Sequence, residues 1–239
     1  MRKWTATTRG VVAAFVAAVL VLPAAGAASS GGTTGNGGGG ATYTSGAPDG
    51  SEISLTVASG AWLGRATRIR GRSAELAGRT VAVERRRTRH SEWVPVGSAR
   101  VGDDGRFALS WTPRSAGRHQ LRALPSTASS AGSADDGTAS RVKRVTVYRS
   151  VTSTWYGPGF YGNRTACGVQ LTTETLGVAH RTLPCGTEVA LRANGRSIVV
   201  PVIDRGPYAD GVTYDLTRAT AEQLGVMHTA RIGAAVLSR

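Results

Sequence analysis

Short runs of alternating apolar and polar residues, separated by turn residues, dominate the chain from Ile53 onward. Alternation with a period of two is typical of half-buried β-strands, because successive side chains of a strand point to opposite faces. Seven such runs precede residue 150, at 53–57, 67–72, 80–86, 93–99, 106–111, 118–123 and 141–148. The spacing of these runs predicts a mainly β fold whose first domain, residues 51–149, is an immunoglobulin-like antiparallel β-sandwich.

The segment before this domain predicts export. Met1-Arg2-Lys3 precedes an apolar run from Val11 to Leu22, and small residues follow it. This order predicts a secretory signal peptide over residues 1–27. An uncleaved anchor is the alternative, although the run is shorter than the roughly 20 apolar residues of a spanning helix. Gly, Ser and Thr dominate residues 28–50 and predict a flexible linker. We expect a secreted protein, extracellular or associated with the cell wall, with no membrane span after signal cleavage.

The formal net charge is +14, and residues 51–150 carry +10 of it. A basic exported domain attracts anionic wall polymers, so we expect the Arg-rich sandwich to be the part that binds them. The coding habit of a GC-rich genome explains the same charge without a partner. Export argues against nucleic acid. His90 and His119 lie in these Arg-rich strands, a setting typical of solvated side chains.

The chain has two cysteines, Cys167 and Cys185. An exported chain meets an oxidising environment, so a disulfide between them is favoured and a pair of free buried thiols is the alternative. Two cysteines without a nearby pair of histidines make a poor zinc site. We expect no metal and no cofactor.

Residues 150–239 combine short strand-like runs with one helical pattern. Asn194-Gly195 separates two of the runs and suits the positive φ angles of a tight hairpin turn. Thr217 can cap a helix that stops at Gly225. So many short strands in one small segment predict a closed barrel, because closure removes the exposed edges of a sheet.

Five motifs in this segment carry a resemblance to a known family. In chain order they are Trp155-Tyr156-Gly157-Pro158-Gly159, Gly162-Asn163-Arg164-Thr165-Ala166, Ala179-His180-Arg181-Thr182-Leu183-Pro184-Cys185-Gly186-Thr187, Asp204-Arg205-Gly206-Pro207-Tyr208 and Asp215-Leu216-Thr217. Their order resembles the RlpA-like (rare lipoprotein A) double-psi β-barrel family, the septal ring lytic transglycosylases. The resemblance covers nearly all of residues 150–239 and none of the sandwich. It implies a six-stranded double-psi β-barrel with one short helix and a groove for peptidoglycan glycan strands.

The resemblance also implies an activity, that of a lytic transglycosylase, which is a carbon-oxygen lyase. Active members cleave the β-1,4 bond between N-acetylmuramic acid (MurNAc) and N-acetylglucosamine (GlcNAc), and the muramyl 6-hydroxyl attacks internally to leave a 1,6-anhydro end. A carboxylic acid must protonate the leaving oxygen, so an apolar or anionic pocket has to raise its pKa. A non-catalytic expansin-like module that binds or loosens glycan is one alternative. An adhesive structural protein dominated by the sandwich is another.

Three residues are the candidate catalytic groups. Asp215 is the candidate general acid by likeness to related double-psi barrels, and capping of the following helix is its alternative role. Asp204 and His180 are the candidate supporting residues, although Asp204 can instead organise its turn or pair with Arg205, and His180 can be structural. Five side chains are expected to contact glycan, although one or two of the aromatic rings can instead fill the barrel and the threonine can simply form a turn. They are Trp155, Tyr156, Thr165, Arg205 and Tyr208.

One loop departs from the family pattern. Many members carry an acidic pair after the Thr-Ala-x-Gly element, where this chain has Val169 and Thr172. Glu174 can substitute only if the loop runs differently. Cys167 and Cys185 fall where they can join this loop to the barrel. The sequence therefore supports glycan binding more firmly than glycan cleavage.

Overall fold

The computed structural model describes residues 53–126 and 139–237. The predicted signal peptide (1–27) and linker (28–50) lie outside the described residues. Strands form most of the regular structure, so the predicted mainly β class is confirmed. Within the described ranges, no helix is both long enough and apolar enough to cross a membrane.

Eight strands run through the first part of the described chain. They are β1 (Ser54–Thr56), β2 (Gly60–Trp62), β3 (Thr67–Arg72), β4 (Thr80–Arg86), β5 (Val94–Arg100), β6 (Arg106–Trp111), β7 (Gly117–Pro125) and β8 (Lys143–Tyr156). One sheet has the order β1-β3-β6, and in the other β8 pairs with both β2 and β7, followed by β4 and β5. All seven predicted runs coincide with strands, and β2 is not among them.

The two sheets share one apolar core. Leu55 and Ile69 contribute from one sheet and Val83 and Leu121 from the other, each with at most 3% of its surface exposed. These positions follow the period-two alternation of their strands, which places every second side chain inside. The immunoglobulin-like assignment of this part stays a prediction.

His119 also belongs to this interior. It is 1% exposed, its Nε2 lies 3.0 Å from the carbonyl oxygen of Ser115, and its ring lies edge-on to Trp111. Its position on β7 is two residues before the buried Leu121, so the alternation of the strand points it inward. The prediction of a solvated His119 is therefore wrong.

Six strands close the second part of the chain into a barrel. They are the C-terminal half of β8, β9 (Val178–Ala179), β10 (Glu188–Ala193), β11 (Arg196–Asp204), β12 (Tyr214–Thr217) and β13 (Ala230–Val236). The circuit runs from β8 through β12, β9, β11, β10 and β13 back to β8. The predicted six-stranded barrel is confirmed.

Two local predictions for the barrel are also confirmed. Asn194 and Gly195 have φ angles of 50° and 76° and turn the hairpin between β10 and β11. Helix α1 (Arg218–Leu224) begins at Thr217, whose Oγ1 accepts a hydrogen bond from the backbone N–H of Thr220, and it ends at Gly225 with φ 69°. Glycine suits that left-handed position because it has no Cβ.

Strand β8 belongs to both parts. Its first half pairs with β2 and β7, and its second half pairs with β12 and β13. The predicted domain boundary after residue 149 therefore lies inside a continuous strand. Beside it, Tyr148, Ala235 and Leu237 form a small apolar cluster against Trp62. The two parts thus share a strand and a packed contact.

Candidate active site

The parallel pairing of β8 with β12 places Thr154 directly beside Asp215. Thr154 Oγ1 donates a hydrogen bond to Asp215 Oδ1 at 2.8 Å. Because side chains alternate along a strand, Tyr156 lies on the same face as Thr154, whereas Trp155 and Leu216 belong to the barrel core. The barrel therefore presents a threonine, a tyrosine and an aspartate on one face.

The surroundings of Asp215 favour its protonated form. Burial raises the pKa of the Asp215 carboxyl group, and the negative charge of Asp204 raises it further, whereas the hydrogen bond from Thr154 lowers it. Thr217 is the N-cap of the following helix, so Asp215 is not used for capping. A half-buried carboxyl group with a raised pKa is suited to donate a proton.

Asp204 ends β11 and is held by backbone donors. Its Oδ1 accepts hydrogen bonds from the N–H of Ala166 at 2.9 Å and the N–H of Arg205 at 2.8 Å. The Arg205 guanidinium instead donates to the carbonyl oxygen of Leu183 at 2.9 Å and lies 3.3 Å from Cys185 Sγ. The Asp204 carboxylate is thus oriented by the backbone, and Arg205 holds the neighbouring loop.

The loop over residues 164–169 forms one wall of the site. A disulfide joins Cys167 to Cys185, which confirms the predicted pairing. Thr165 is 9% exposed, and its Oγ1 accepts a hydrogen bond from the N–H of Val169 at 3.2 Å. Thr165 therefore both closes the loop and borders the site.

These elements enclose a cleft of about 320 Å³. Six residues predicted from the sequence line it: Tyr156, Thr165, Asp204, Arg205, Tyr208 and Asp215. The structure therefore brings both candidate acids together with part of the predicted glycan-binding set. Tyr208 is 81% exposed at the rim, where its ring is open to a ligand.

The hydroxyl of Tyr156 is buried in this cleft close to the Asp204 carboxylate, but the bond between them does not meet strict hydrogen-bond geometry. Burial raises the pKa of Tyr156, and the negative charges of Asp204 and Asp215 add to the effect. The phenol therefore stays neutral and keeps its proton. A buried donor without a well-formed hydrogen bond is costly unless a ligand completes it, so this hydroxyl is available to a bound substrate.

Two of the predicted site residues lie outside the cleft. Trp155 packs against the barrel core. The His180 ring packs on Tyr214, with 4.9 Å between ring centroids. Because Tyr214 and Asp215 are consecutive in β12, their side chains lie on opposite faces of the strand, and the His180 ring shares the face of Tyr214.

His180 supports the acids through its backbone, since its N–H donates to the carbonyl oxygen of Asp204 at 3.2 Å. Its ring Nδ1 accepts hydrogen bonds from the backbone N–H groups of Thr182 and Leu183 at 3.2 and 3.0 Å. Burial, followed by nearby positive charge, lowers the pKa of His180. The neutral ring with an accepting Nδ1 carries its proton on Nε2.

Five cleft residues are additional to the predicted set: Phe160, Asn163, Arg164, Leu171 and Ala179. Phe160 is 56% exposed and lies edge-on to Tyr156, with ring centroids 6.2 Å apart. A sequence signal for it exists, because an aromatic residue after the turn Gly157-Pro158-Gly159 has no strand or helix to bury it. Asn163 and Arg164 lie in irregular structure, and their sequence signal is the motif over residues 162–166 that carries the family resemblance.

The positions at which the family resemblance leads us to expect acids do not line the cleft. Val169, Thr172 and Glu174 are exposed, and none of them lines it. Asp204 and Asp215 are therefore the carboxylates found among the cleft residues that the structure describes. No three His, Cys, Asp or Glu side chains in the described ranges cluster in a way that could hold a metal ion.

Fold and site together define a six-stranded β-barrel with a cleft that holds two carboxyl groups, Asp204 and Asp215. We call it the acidic cleft. Residues 149–235 match the family model described as lytic transglycolase, a double-psi β-barrel. Over residues 149–235 this chain is thus similar to the RlpA-like double-psi β-barrel family.

Two curated relatives are each named a probable endolytic peptidoglycan transglycosylase RlpA. The protein from Synechocystis sp. is 41% identical over 97 residues, which are 40% of this chain and 29% of the relative. The protein from Aquifex aeolicus is 42% identical over 88 residues, which are 36% of this chain and 39% of the relative. The match thus spans well under half the length of either relative. A solved structure, the Streptomyces papain inhibitor, is 27% identical and covers 36% of this chain and 91% of its own, with a TM-score of 0.31.

Proposed function

We propose that this protein is a secreted lytic transglycosylase that cleaves the β-1,4 bond between MurNAc and GlcNAc in peptidoglycan. One observation carries the proposal: Asp215, a half-buried carboxyl group with a raised pKa, shares a cleft with Asp204. Protonation of a glycosidic oxygen requires a carboxyl group that keeps its proton toward neutral pH. Peptidoglycan is also the substrate in the names of the curated relatives.

In the proposed reaction, Asp215 transfers its proton to the glycosidic oxygen. The bond between that oxygen and C1 of MurNAc breaks, the electron pair leaves with the oxygen of GlcNAc, and positive charge develops at C1. The 6-hydroxyl oxygen of the same MurNAc then bonds to C1, and its proton passes to the Asp215 carboxylate. The acid is regenerated without consumption of water, and the product has a 1,6-anhydro end.

Asp204 has an electrostatic role in this scheme. Its negative charge helps to raise the pKa of Asp215 before the proton moves. The same charge, held in place by the N–H groups of Ala166 and Arg205, stabilises the positive charge that develops at C1. Because these donors belong to the backbone, the carboxylate needs little reorganisation during the reaction.

The remaining cleft residues bind the glycan. The buried hydroxyl of Tyr156 lines the cleft beside Asp204 and donates a hydrogen bond to a sugar oxygen. The exposed rings of Phe160 and Tyr208 offer flat apolar faces to sugar rings. The hydroxyl then fixes the position of one sugar while the rings hold its neighbours.

Digestion of purified sacculi tests the proposal. We expect the wild-type protein to release muropeptides that mass spectrometry identifies by their 1,6-anhydro-MurNAc ends. Hydrolytic products with a reducing MurNAc end would contradict the internal attack. If the folded protein sediments with sacculi and releases nothing, cleavage is rejected and glycan binding is retained.

A non-catalytic expansin-like module that binds or loosens the wall is the second candidate. The observation that favours it is that Val169 and Thr172 stand where the family resemblance leads us to expect acids, and neither residue lines the cleft. In that case Asp215→Asn binds sacculi as the wild type does, and neither protein releases soluble fragments. Detection of anhydro products from the wild type would eliminate this candidate.

The pH dependence of release follows from the pKa of Asp215. Only the protonated acid starts the reaction, so we expect the rate to fall as pH rises through that pKa. Thr154 lowers the pKa through its hydrogen bond, so Thr154→Val is expected to raise the pKa and move this limb of the profile to higher pH. Thr154→Ser retains the hydroxyl and should restore the wild-type profile. If the fall in rate occurs at the same pH in Thr154→Val as in the wild type, the group that titrates is not Asp215.

Secretion and wall association remain proposals that rest on the predicted signal peptide. Anionic wall polymers are proposed as a second partner of the protein, through the basic residues of the sandwich. The chain carries +14 overall, and residues 51–150 account for +10 of it.

A further inference from the structure

A second concave surface lies where the first part of the chain meets the barrel. Its volume is about 660 Å³, and it shares no lining residue with the acidic cleft. Three arginines line it, namely Arg87 just after β4, Arg114 between β6 and β7, and Arg149 in the middle of β8. His180 and Tyr214 line it from the barrel side. We call it the junction basin.

The junction basin offers hydrogen-bond donors without a counter-charge. No Asp or Glu is among its described lining residues. In the part of the chain that the structure describes, Arg87, Arg114 and Arg149 form no ion pair and no side-chain hydrogen bond. Three gathered guanidinium groups repel one another, and an anion placed between them removes that repulsion.

The groups from the barrel add donors of the same kind. His180 Nδ1 already accepts two backbone hydrogen bonds, so the neutral ring offers Nε2–H as a donor. Burial raises the pKa of Tyr214 to about 12, and the phenol keeps its proton. The positive charge of Arg149 lowers the pKa of this same tyrosine and so offsets part of the effect of burial. An imidazole and guanidinium groups thus face one space, which suits an oxyanion.

Gly117 makes room for one of these groups. A Cβ atom at this position would lie 2.7 Å from Nη2 of Arg87, closer than such atoms approach one another. The guanidinium of Arg87 therefore rests against the bare backbone where β7 begins.

We propose that the junction basin binds an oxyanion, a phosphate or carboxylate group carried by a cell-wall polymer. The site is separate from the acidic cleft and goes beyond the proposed cleavage, because it requires no chemistry at Asp215. Its role is to hold an anionic polymer between the basic first part of the chain and the barrel. His180 then serves this site through its ring, on the face of β12 opposite to Asp215.

Binding of short inorganic polyphosphate, measured by calorimetry at about 0.15 M salt so that long-range attraction is screened, tests the site. We expect Arg87→Gln/Arg149→Gln to weaken binding roughly 10- to 100-fold. The control Arg65→Gln/Arg79→Gln removes the same charge from exposed positions outside the basin and should bind as the wild type does. Equal losses in both double variants, or no binding by the wild type, would overturn the proposal.

The His180 imidazole reports where the anion binds. We expect polyphosphate to shift the NMR signal of its ring proton at Cε1 in the wild type and in the control, with a much smaller shift in Arg87→Gln/Arg149→Gln. Saturation by polyphosphate without any change at His180 would place the anion elsewhere and contradict the assignment.

Sacculi identify the source of the oxyanion. Acid extraction removes phosphodiester-linked polymers and leaves the carboxylates of the peptide stems. If extraction abolishes the difference between wild type and Arg87→Gln/Arg149→Gln, phosphate is the ligand. If the difference persists on extracted sacculi, the ligand is a stem carboxylate. If the two proteins bind intact sacculi equally, no wall polymer occupies the basin.

Discussion

Replacing Asp215 by asparagine is expected to lower the release of 1,6-anhydro muropeptides by about 10²- to 10⁴-fold, the contribution of a positioned general acid. Asparagine keeps the shape of the carboxyl group and can still accept the hydrogen bond from Thr154, which measures 2.8 Å in the wild type. It has no proton to transfer to the glycosidic oxygen. The measurement is the initial rate of product release from purified sacculi, resolved by chromatography and mass spectrometry.

Glu174→Gln is the matched control for this variant. Glu174 lies in the same domain, is exposed and does not line the cleft. Its replacement by glutamine should therefore leave the release of muropeptides unchanged. Both variants should sediment with sacculi as the wild type does. Release by Asp215→Asn at the wild-type rate would assign the proton to another group. A loss confined to Glu174→Gln would mean that the loop carries the acid after all.

The stability of Asp215→Asn distinguishes a lost acid from a damaged fold. The folded pKa of Asp215 is raised, so the native state holds this proton at pH values where the unfolded chain has released it. Wild-type stability therefore falls as pH rises from the unfolded pKa through the folded pKa. Asparagine cannot ionise, and we expect the Tm of the variant at neutral pH to equal or exceed that of the wild type. A lower Tm would mean that the carboxylate supports the fold.

Local pattern was sufficient to predict most of the fold. The seven alternating runs, the turn at Asn194-Gly195 and the helix between Thr217 and Gly225 all depend on neighbouring residues, and the structure contains each of them. Strand β2 was beyond such reasoning, because three residues form it only by pairing in parallel with β8, far along the chain. The sequence did not predict that β8 is continuous for the same reason. Its first half pairs with β2 and β7 and its second half with β12 and β13, and these partners are distant in the sequence.

The site was predictable where it depends on strand order and less so where it depends on orientation. Asp204 and Asp215 end or lie in strands that both pair with β9, so their convergence follows from the barrel topology. β9 has only two residues, and so short a strand does not indicate which of Ala179 and His180 faces the cleft. Phe160 lies in an irregular loop without any period, so the alternation that predicts the strands does not orient it, and the turn before it is its one sequence signal.

Loss of the disulfide is expected to have the second large effect. On the chain-entropy model, the bond between Cys167 and Cys185, 18 residues apart, stabilises the folded state by about 3 kcal/mol. Cys167→Ser/Cys185→Ser should therefore lower the Tm by roughly 6–12 °C. Reduction of the wild type should produce the same shift, which calorimetry with and without reductant measures. The double variant should not respond to reductant.

The same bond bears on the acids. It ties the loop of residues 164–169 to the barrel beside Ala166, whose N–H donates to Asp204 Oδ1 at 2.9 Å. A freed loop loosens that donor and lets the Asp204 carboxylate turn away from Asp215, so we expect product release to fall on the order of tenfold at temperatures where the variant is still folded. Binding of polyphosphate at the junction basin should not change, because no residue of this loop lines it. A variant that loses stability but releases product at the wild-type rate would show that Asp204 is positioned without the disulfide.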